Sequence, residues 1–259
     1  MIKVFNAKEK NEFADLADTP EVREVRDSRD YAVSVGKKAY LITFHYINRR
    51  RVTLYADPQQ CCVMTDSLHL RKIAGEIDAS SGIQEANMFF QRISKNDMFD
   101  LQNLEKEVQA LEDKLFAEKT PNRRGIDEIR NLRREILRRK RYYELMEFIT
   151  DELMEMDSDF SYISKKFDRL YKVILRTQEF AEEVRDAYQS QVDIQQNNIM
   201  KFLTIITTMF MPLQLITGWY GMNLKMPEVH WRFGYPYVIG LSIAICLLMY
   251  WICKRNKWF

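Results

Sequence analysis

The sequence has little of what fixes a metal or a disulfide in place. It holds four cysteines and three histidines, and no two cysteines stand in a CxxC spacing. Cys61 and Cys62 are adjacent, Cys246 and Cys253 lie in an apolar run, and His45, His69 and His230 are scattered. Neither a zinc site nor a disulfide framework follows from that arrangement, so reduced thiols in a cytoplasmic setting are expected. Net charge is nearly absent too, at +2, which gives no global preference for nucleic acid or for acidic partners. The opening residues, MIKVFNAKEKNEF, contain no long apolar core, and no cleaved secretory signal is expected. No phosphate-cradling loop, nucleophile–base pair or metal-ligand motif can be named, so neither an enzyme nor an organic cofactor is expected.

What the chain does have lies near its C-terminus. Met200 to Asn223 reads MKFLTIITTMFMPLQLITGWYGMN, with no formal charge from Phe202 to Tyr220. Tyr235 to Cys253 is a second uncharged run. Each is about long enough to cross a ~30 Å hydrocarbon core as a helix. The first run is unusually polar for an anchor: it contains Thr204, Thr207, Thr208, Gln214 and Thr217, Pro212 interrupts it, and Gly218 and Gly221 lie near its end. Stepping by three and four gives one stripe, Asn197, Met200, Thr204, Thr207, Met211, Gln214 and Gly218, made of neutral dipoles and thioethers without a carboxylate. Polar groups inside a span usually turn away from lipid, toward a bundle or a water-filled path. The plain alternative is that the threonines bond to their own helix backbone and the glycines only allow close packing.

The exit of that run shifts the balance toward the water-filled path. Gly221-Met222-Asn223 ends the first run, Met226-Pro227-Glu228 lies in a short loop, and Gly234-Tyr235-Pro236 opens the second. With Phe210-Met211-Pro212-Leu213, Gly218, Tyr220 and a basic tail, this arrangement resembles the CorA family of magnesium channels, from roughly Asn197 to Lys257. The resemblance implies a passive channel for divalent cations, chiefly Mg2+ with Co2+ or Ni2+ as passengers, in the cell membrane. It implies a homopentamer; two spans alone require only that several copies enclose the pore. Asn223 is expected to offer amide carbonyls to the water shell of Mg2+, with Gly221 and Met222 completing the outer filter. Thr207, Met211, Gln214 and Gly218 continue the path, Met200 and Leu203 form a closable constriction, and Asn197 receives the ion beyond it. Gln214 departs from the smaller hydroxyl residue common in the family, which bears on selectivity. Glu228 would raise local cation concentration in the outer loop.

Orientation follows from the basic residues. Lys254, Arg255 and Lys257 follow the second span as an inner basic ring, and Lys201 opens the first, which places both termini in the cytoplasm. Trp219, Tyr220, Trp231, Tyr235 and Tyr237 gather at the expected outer interface, Trp251 and Trp258 at the inner one.

Taken in order, residues 1–82 read as a small α/β module. Tyr31–Val35, Ala39–Tyr46 and Arg51–Tyr55 are strand-like, with turns at Gly36-Lys37-Lys38 and Asn48-Arg49-Arg50, and Cys61–Met64 is expected to add an edge strand. Alternation through Tyr40, Ile42, Phe44 and Tyr46 implies one buried and one wet face, covered by a helix bearing Leu68, Leu70, Ile73 and Ile77. Residues 83–150 read as a charged helical hairpin broken at Thr120-Pro121-Asn122 and Gly125. Its arginines, Arg133, Arg134 and Arg138 to Arg141, are expected to pair across the hairpin with Glu105, Glu107, Glu112, Asp113 and Glu118, so no nucleic acid is expected.

Residues 151–200 form a stalk. Phe160, Ile163, Phe167, Leu170, Ile174, Thr177, Ala181, Val184 and Tyr188 repeat at coiled-coil spacing, which implies partner helices. No Pro or Gly occurs between Asp151 and Met211, so the stalk is expected to enter the membrane as one helix. Asp151, Glu155, Asp157 and Asp159 are candidates for a regulatory Mg2+ between subunits, since the resemblance implies cytoplasmic carboxylate sensing; capping of the next helix is the plain reading. The remaining boundaries are 201–223 for the first span, 224–234 for the outer loop, 235–253 for the second span and 254–259 for the tail. The expected fold is therefore an α+β membrane protein, with a cytoplasmic α/β module, a helical hairpin, and a stalk helix continuing into the first of two transmembrane helices. Two rivals stand: a zinc transporter of the ZntB type on the same scaffold, against which Met222 argues, and a pore-less membrane-anchored coiled-coil scaffold or sensor.

Overall fold

The computed structural model describes residues 2–6, 9, 12–13, 32–35, 39–47, 50–118, 121–222 and 233–255. It divides into two compact units, Met1–Asp186 and Ala187–Phe259. The expected turns at residues 36–38 and 48–49 lie outside the described residues.

The first unit opens on five strands, β1 (Lys3–Phe5), β2 (Ala32–Val35), β3 (Ala39–His45), β4 (Arg51–Ala56) and β5 (Cys61–Thr65), in the order β1-β5-β4-β3-β2. β2 to β5 pair antiparallel, while β1 runs parallel to β5 with Lys3 opposite Cys62. The strand at Cys61 is therefore interior, not an edge: β1, a three-residue strand too short to stand out in the sequence, covers its outer side. Register aligns Tyr40 with Ala56 and Ala56 with Cys61, and likewise Ile42 with Leu54 and Leu54 with Val63. Side chains alternate across a sheet, so these rows share one face, and all six residues are buried.

The opposite face is not wet, as alternation alone implied. Leu41 and Cys62 are buried there beneath Phe13, with Phe5, Ala39, Tyr55 and Met64 packed around them. Phe13 lies far enough upstream that no periodicity of β3 reveals it. Burial pushes the Cys62 thiol up to about 11 and raises that of Cys61 as well; with Cys246, both are free cysteines, packed as small apolar groups and not activated as nucleophiles.

Helices follow: α1 (Leu68–Gly75), α2 (Gly82–Ile93), α3 (Asp97–Ala117), α4 (Arg123–Met156), a 3-10 turn at Ser158–Phe160, α5 (Ser161–Tyr220) and α6 (Gly234–Arg255). Ser67, Ser81 and Asn122 cap α1, α2 and α4, each side chain accepting an N–H three residues on. Gly125 does not break the hairpin; its N–H takes the Asn122 cap at 2.9 Å. The helical stretch after Ile83 is instead interrupted at Ser94–Asn96, where the Ser94 hydroxyl donates to the Phe90 carbonyl at 2.7 Å. α4 continues through Met156, so Asp151 and Glu155 belong to the hairpin helix and not to the stalk. Aromatic contacts fasten the helices to the sheet: Phe44 on Phe90, Tyr46 on Tyr142 and Tyr40 on Phe160, with ring centroids at 6.0, 5.5 and 6.0 Å.

The seam of α5 finds its partners inside the chain. From Phe160 to Val184 every seam residue is buried except Ala181, which is half-buried. Polar ties attach this stretch to the other helices: Arg176 to Glu105 of α3 at 3.9 Å, Ser164 to Asp151 of α4 at 2.7 Å, and Lys166 to the Gln91 carbonyl of α2 at 3.5 Å. The coiled-coil periodicity over this stretch thus reports the chain's own hairpin and not a neighbouring copy, because three amphipathic helices in one chain already satisfy the stripe.

The expected pairing of arginines across the hairpin is largely absent. Arg138 and Arg139 both bond to Glu135 of their own helix, at 3.1 and 3.0 Å, and Arg130 to Asp127 at 3.2 Å. These are spacings of three and four, where helical neighbours meet without any cross-helix constraint. Among the described residues, the crossing ion pair of the hairpin is Lys114 to Glu128, at 2.6 Å.

Gly82 marks the tightest approach in the unit. A Cβ built there falls 2.1 Å from the Gln60 carbonyl oxygen and 2.4 Å from that of Asp57, in the turn where Asp57 Oδ1 accepts the N–H groups of Gln59 and Gln60. Gly82→Ala should therefore destabilise this unit by about 1–3 kcal/mol, read as a lowered urea midpoint with unchanged slope. Wild-type stability in that variant would mean that α2 does not dock on the turn.

Candidate functional site

In the second unit α5 and α6 are both long and apolar enough to cross a membrane. α5 runs unbroken through Pro212. Proline has no N–H, so the Thr208 carbonyl loses its helical donor at that turn, yet the helix continues to Tyr220.

At about 100° per residue, the stripe from Asn197 to Gly218 occupies an arc of about 100°, and Leu203 borders it. Asn197, Met200, Leu203, Thr207, Met211, Gln214 and Gly218 are all exposed. Ile205, at 6% exposure, and half-buried Ile206, Met209, Pro212, Leu213 and Ile216 fall on the other side. α6 shows the same one-sided shading, at Val238, Leu241, Ser242, Ile245, Cys246 and Met249, which is the spacing of a helix packed along one stripe. The covered face of α5 is thus apolar, and its polar face is left open by the described residues.

The threonines bear out the plain alternative for their protons. Thr204, Thr207, Thr208 and Thr217 each donate to the carbonyl four residues back, at 2.8 to 2.9 Å. This does not silence them. With its only hydrogen committed, each hydroxyl can only accept from outside the helix. Thr204 and Thr207 lie on the open stripe, whereas Thr208 is half-buried. Burial agrees with the spacing, which put Thr204 and Thr207 on the stripe and left Thr208 off it.

At the end of α5 the Gly221 N–H donates to the Thr217 carbonyl at 2.9 Å, and the Met222 N–H to that of Trp219 at 3.3 Å. A Cβ at Gly221 would sit 2.9 Å from the Thr217 oxygen, while one at Gly218 would meet nothing within 4 Å. Gly221 is therefore required by its own helix end, and Gly218 leaves an open notch on the stripe. Asn223, Glu228 and Lys257 lie outside the described residues. Lys254 and Arg255 are exposed in the last turn of α6, where cations complement the helix dipole, and Arg255 lies 5.2 Å over the Trp251 ring.

The acidic segment is spent locally. Asp157 caps the 3-10 turn, accepting the Asp159 N–H at 3.0 Å; Asp151 accepts from Ser164; and the Asp159 carbonyl accepts from Asn87 at 2.6 Å. Glu155 is exposed on α4. Among the described residues no three potential metal ligands converge within one chain.

The class is that of a protein with two helices long and apolar enough to cross a membrane, in which an α/β module and helical hairpin precede a long helix bearing an uncharged polar stripe. A model of the CorA-like Mg2+ transporter protein family matches residues 27–255, and the chain belongs to that family. It is 31% identical over 169 residues to the cobalt/magnesium transport protein CorA of Thermotoga maritima, a match covering 61% of this chain and 47% of that one. The chain thus spans less than half the length of this curated relative. Among solved structures, the CorA magnesium transporter of Methanocaldococcus jannaschii superposes with a TM-score of 0.72 at 21% identity, over 97% of this chain and 88% of the other. The ZntB cytoplasmic domain of Vibrio parahaemolyticus gives 0.57 at 9% identity, over 71% and 84%. Both structural likenesses are of fold.

The glycine geometry gives a direct test. Gly221→Ala should raise amide exchange at Gly221 and Met222 by about tenfold or more, since their bonds to Thr217 and Trp219 must lengthen. Gly218→Ala should leave both amides unchanged. Equal responses would show that the end of α5 is not closed by that contact.

Proposed function

We propose that this chain is one subunit of a homo-oligomeric, passive divalent-cation channel that carries Mg2+ inward, with Co2+ or Ni2+ as passengers. The observation that carries the reading is the open stripe of α5. Its residues are uncharged, its threonine oxygens are free only to accept, and nothing among the described residues covers it. Several copies arranged with that stripe inward enclose a conduit, and five is the number the CorA resemblance implies. The covered, apolar side of α5 and the whole of α6 then face neighbours and lipid.

The chemistry suits an ion that keeps its water. Mg2+ sheds its shell reluctantly, and the outer hydrogens of that shell need acceptors. Asn223 supplies amide oxygens at the outer mouth, held by the helix end that Gly221 permits, with Met222 behind it. Thr207 and Gln214 continue the acceptor lining past the Gly218 notch. Met200, Leu203 and Met211 form apolar rings that close by dewetting, and Asn197 meets the ion below them. Glu228 collects cations outside. Lys254, Arg255 and Lys257 anchor the inner end against anionic headgroups, which places both termini in the cytoplasm. The membrane potential drives the ion, at roughly 4.6 kcal/mol for a divalent charge per 100 mV. A cation held by Asp151, Glu155, Asp157 or Asp159 needs ligands from a second copy.

The fold likeness to ZntB supports a second reading, a zinc carrier on the same scaffold. Flux of Mg2+ and Zn2+ into proteoliposomes, with and without a proton gradient, separates the two: Mg2+ flux indifferent to the gradient is expected, and zinc-only, proton-dependent flux would reverse the choice. Asn223→Ala should abolish Mg2+ uptake with the oligomer intact by light scattering; undiminished uptake removes the filter assignment. Met200→Ser with Leu203→Ser should raise resting flux several-fold by wetting the constriction, and unchanged flux would place the gate elsewhere.

A further inference from the structure

A buried acid unused by the ion path sits where the sheet, hairpin and stalk meet. Asp97 opens α3 and is 4% exposed. Its Oδ2 and the hydroxyls of Tyr142 and Tyr143 are buried with no hydrogen bond of regular geometry among the described residues, although the Tyr143 hydroxyl faces the carboxyl. Tyr142 meets Tyr143 edge-on at 5.0 Å and Tyr46 at 5.5 Å, so the phenols of α4 and of the end of β3 form one aromatic wall. An ionised carboxylate in such a place is costly unless a cation joins it.

Groups from every surrounding element face this acid. α4 contributes Tyr142, Tyr143 and Arg139, α5 contributes Lys166, α3 itself Asp100, and the end of β3 Tyr46. From the end of α2 the Ser94 carbonyl accepts the Asp97 N–H at 3.4 Å. Both cations are bound elsewhere: Arg139 Nε donates to Glu135 at 3.0 Å, and Lys166 Nζ to the Gln91 carbonyl at 3.5 Å. Burial raises the Asp97 carboxyl to about 6, and the facing Tyr143 hydroxyl and Lys166 draw it back only in part. Burial lowers the Lys166 ammonium, and Asp97 opposes that.

We propose that Asp97 is a proton-operated latch. Protonated, it rests neutral among the tyrosines while Lys166 holds the Gln91 carbonyl; ionised, it releases its proton to solvent and draws Lys166 across, tying α5 to α3 instead of α2. The element that switches is one lysine with two partners on different helices. The proposal does not depend on which ion the path carries.

The sign of the pH effect is fixed by the raised value. Between the unfolded value of about 3.9 and the folded value of about 6, the folded chain holds the extra proton. Stability from this site is therefore complete below about pH 4 and declines as pH rises through about 6.

The test uses the full chain in lipid nanodiscs with carbon-13 at aspartate carboxyls and nitrogen-15 at lysine ammonium groups. One carboxyl, absent in Asp97→Asn, should titrate near pH 6, and the Lys166 signal should shift with the same midpoint. The melting temperature of the first unit should fall across that interval in the wild type and stay level in Asp97→Asn. Lys166→Met should move the Asp97 midpoint upward, and this variant carries the test if Asp97→Asn does not fold. An Asp97 midpoint near 4, a Lys166 signal that ignores it, or an unmoved midpoint in Lys166→Met overturns the proposal.

Discussion

An uncharged polar stripe on a membrane-length helix must find partners, and this is the constraint on which the arrangement depends. Hydrocarbon offers nothing to a glutamine amide or a threonine oxygen. On α5 the chain covers the opposite, apolar side and leaves Thr207 and Gln214 open. The internal bonds of the threonines satisfy their hydrogens only, so the stripe retains acceptors that ask for donors. In the proposed channel the water shell of a cation supplies them, and a bundle of copies excludes the lipid that cannot.

The same helix behaves differently in the first unit. There the seam of α5 is consumed by its own hairpin, with Phe167, Leu170 and Ile174 buried, and polar ties reach α2, α3 and α4 from Lys166, Arg176 and Ser164. One element thus serves as core in one unit and as an open face in the other. The change follows composition: branched and aromatic knobs give way to Gln191, Gln195 and Asn198, and amides do not hold a dry seam.

The stripe was legible in the sequence because helical spacing is a strong constraint. Once α5 is helical, Asn197 through Gly218 must share a face, and Gly221 at the helix end follows from its missing Cβ. Spacing already put Thr204 and Thr207 on the stripe and left Thr208 off it; what it left open was whether the hydroxyl protons serve the helix's own backbone, and they do. The arginines misled for a related reason: Glu135 satisfies two of them at local spacing, so no cross-hairpin pair is needed. The sequence does not single out Asp97, because nothing local announces the wall of tyrosines contributed by α4 and the end of β3.

By itself the sequence determined the two apolar spans, the polar stripe between Asn197 and Gly218, the strands from Ala39 to Thr65 and the long helices. Each is a periodicity or a run, and local sterics and hydrogen bonding impose those directly. Only the tertiary structure decided that Cys61–Thr65 is an interior strand, that Phe13 closes the second face of the sheet, that the seam of α5 is met from within, and that Asp97 is buried. Those features depend on which distant residues arrive at a surface, and burial is a property of the neighbours a fold supplies.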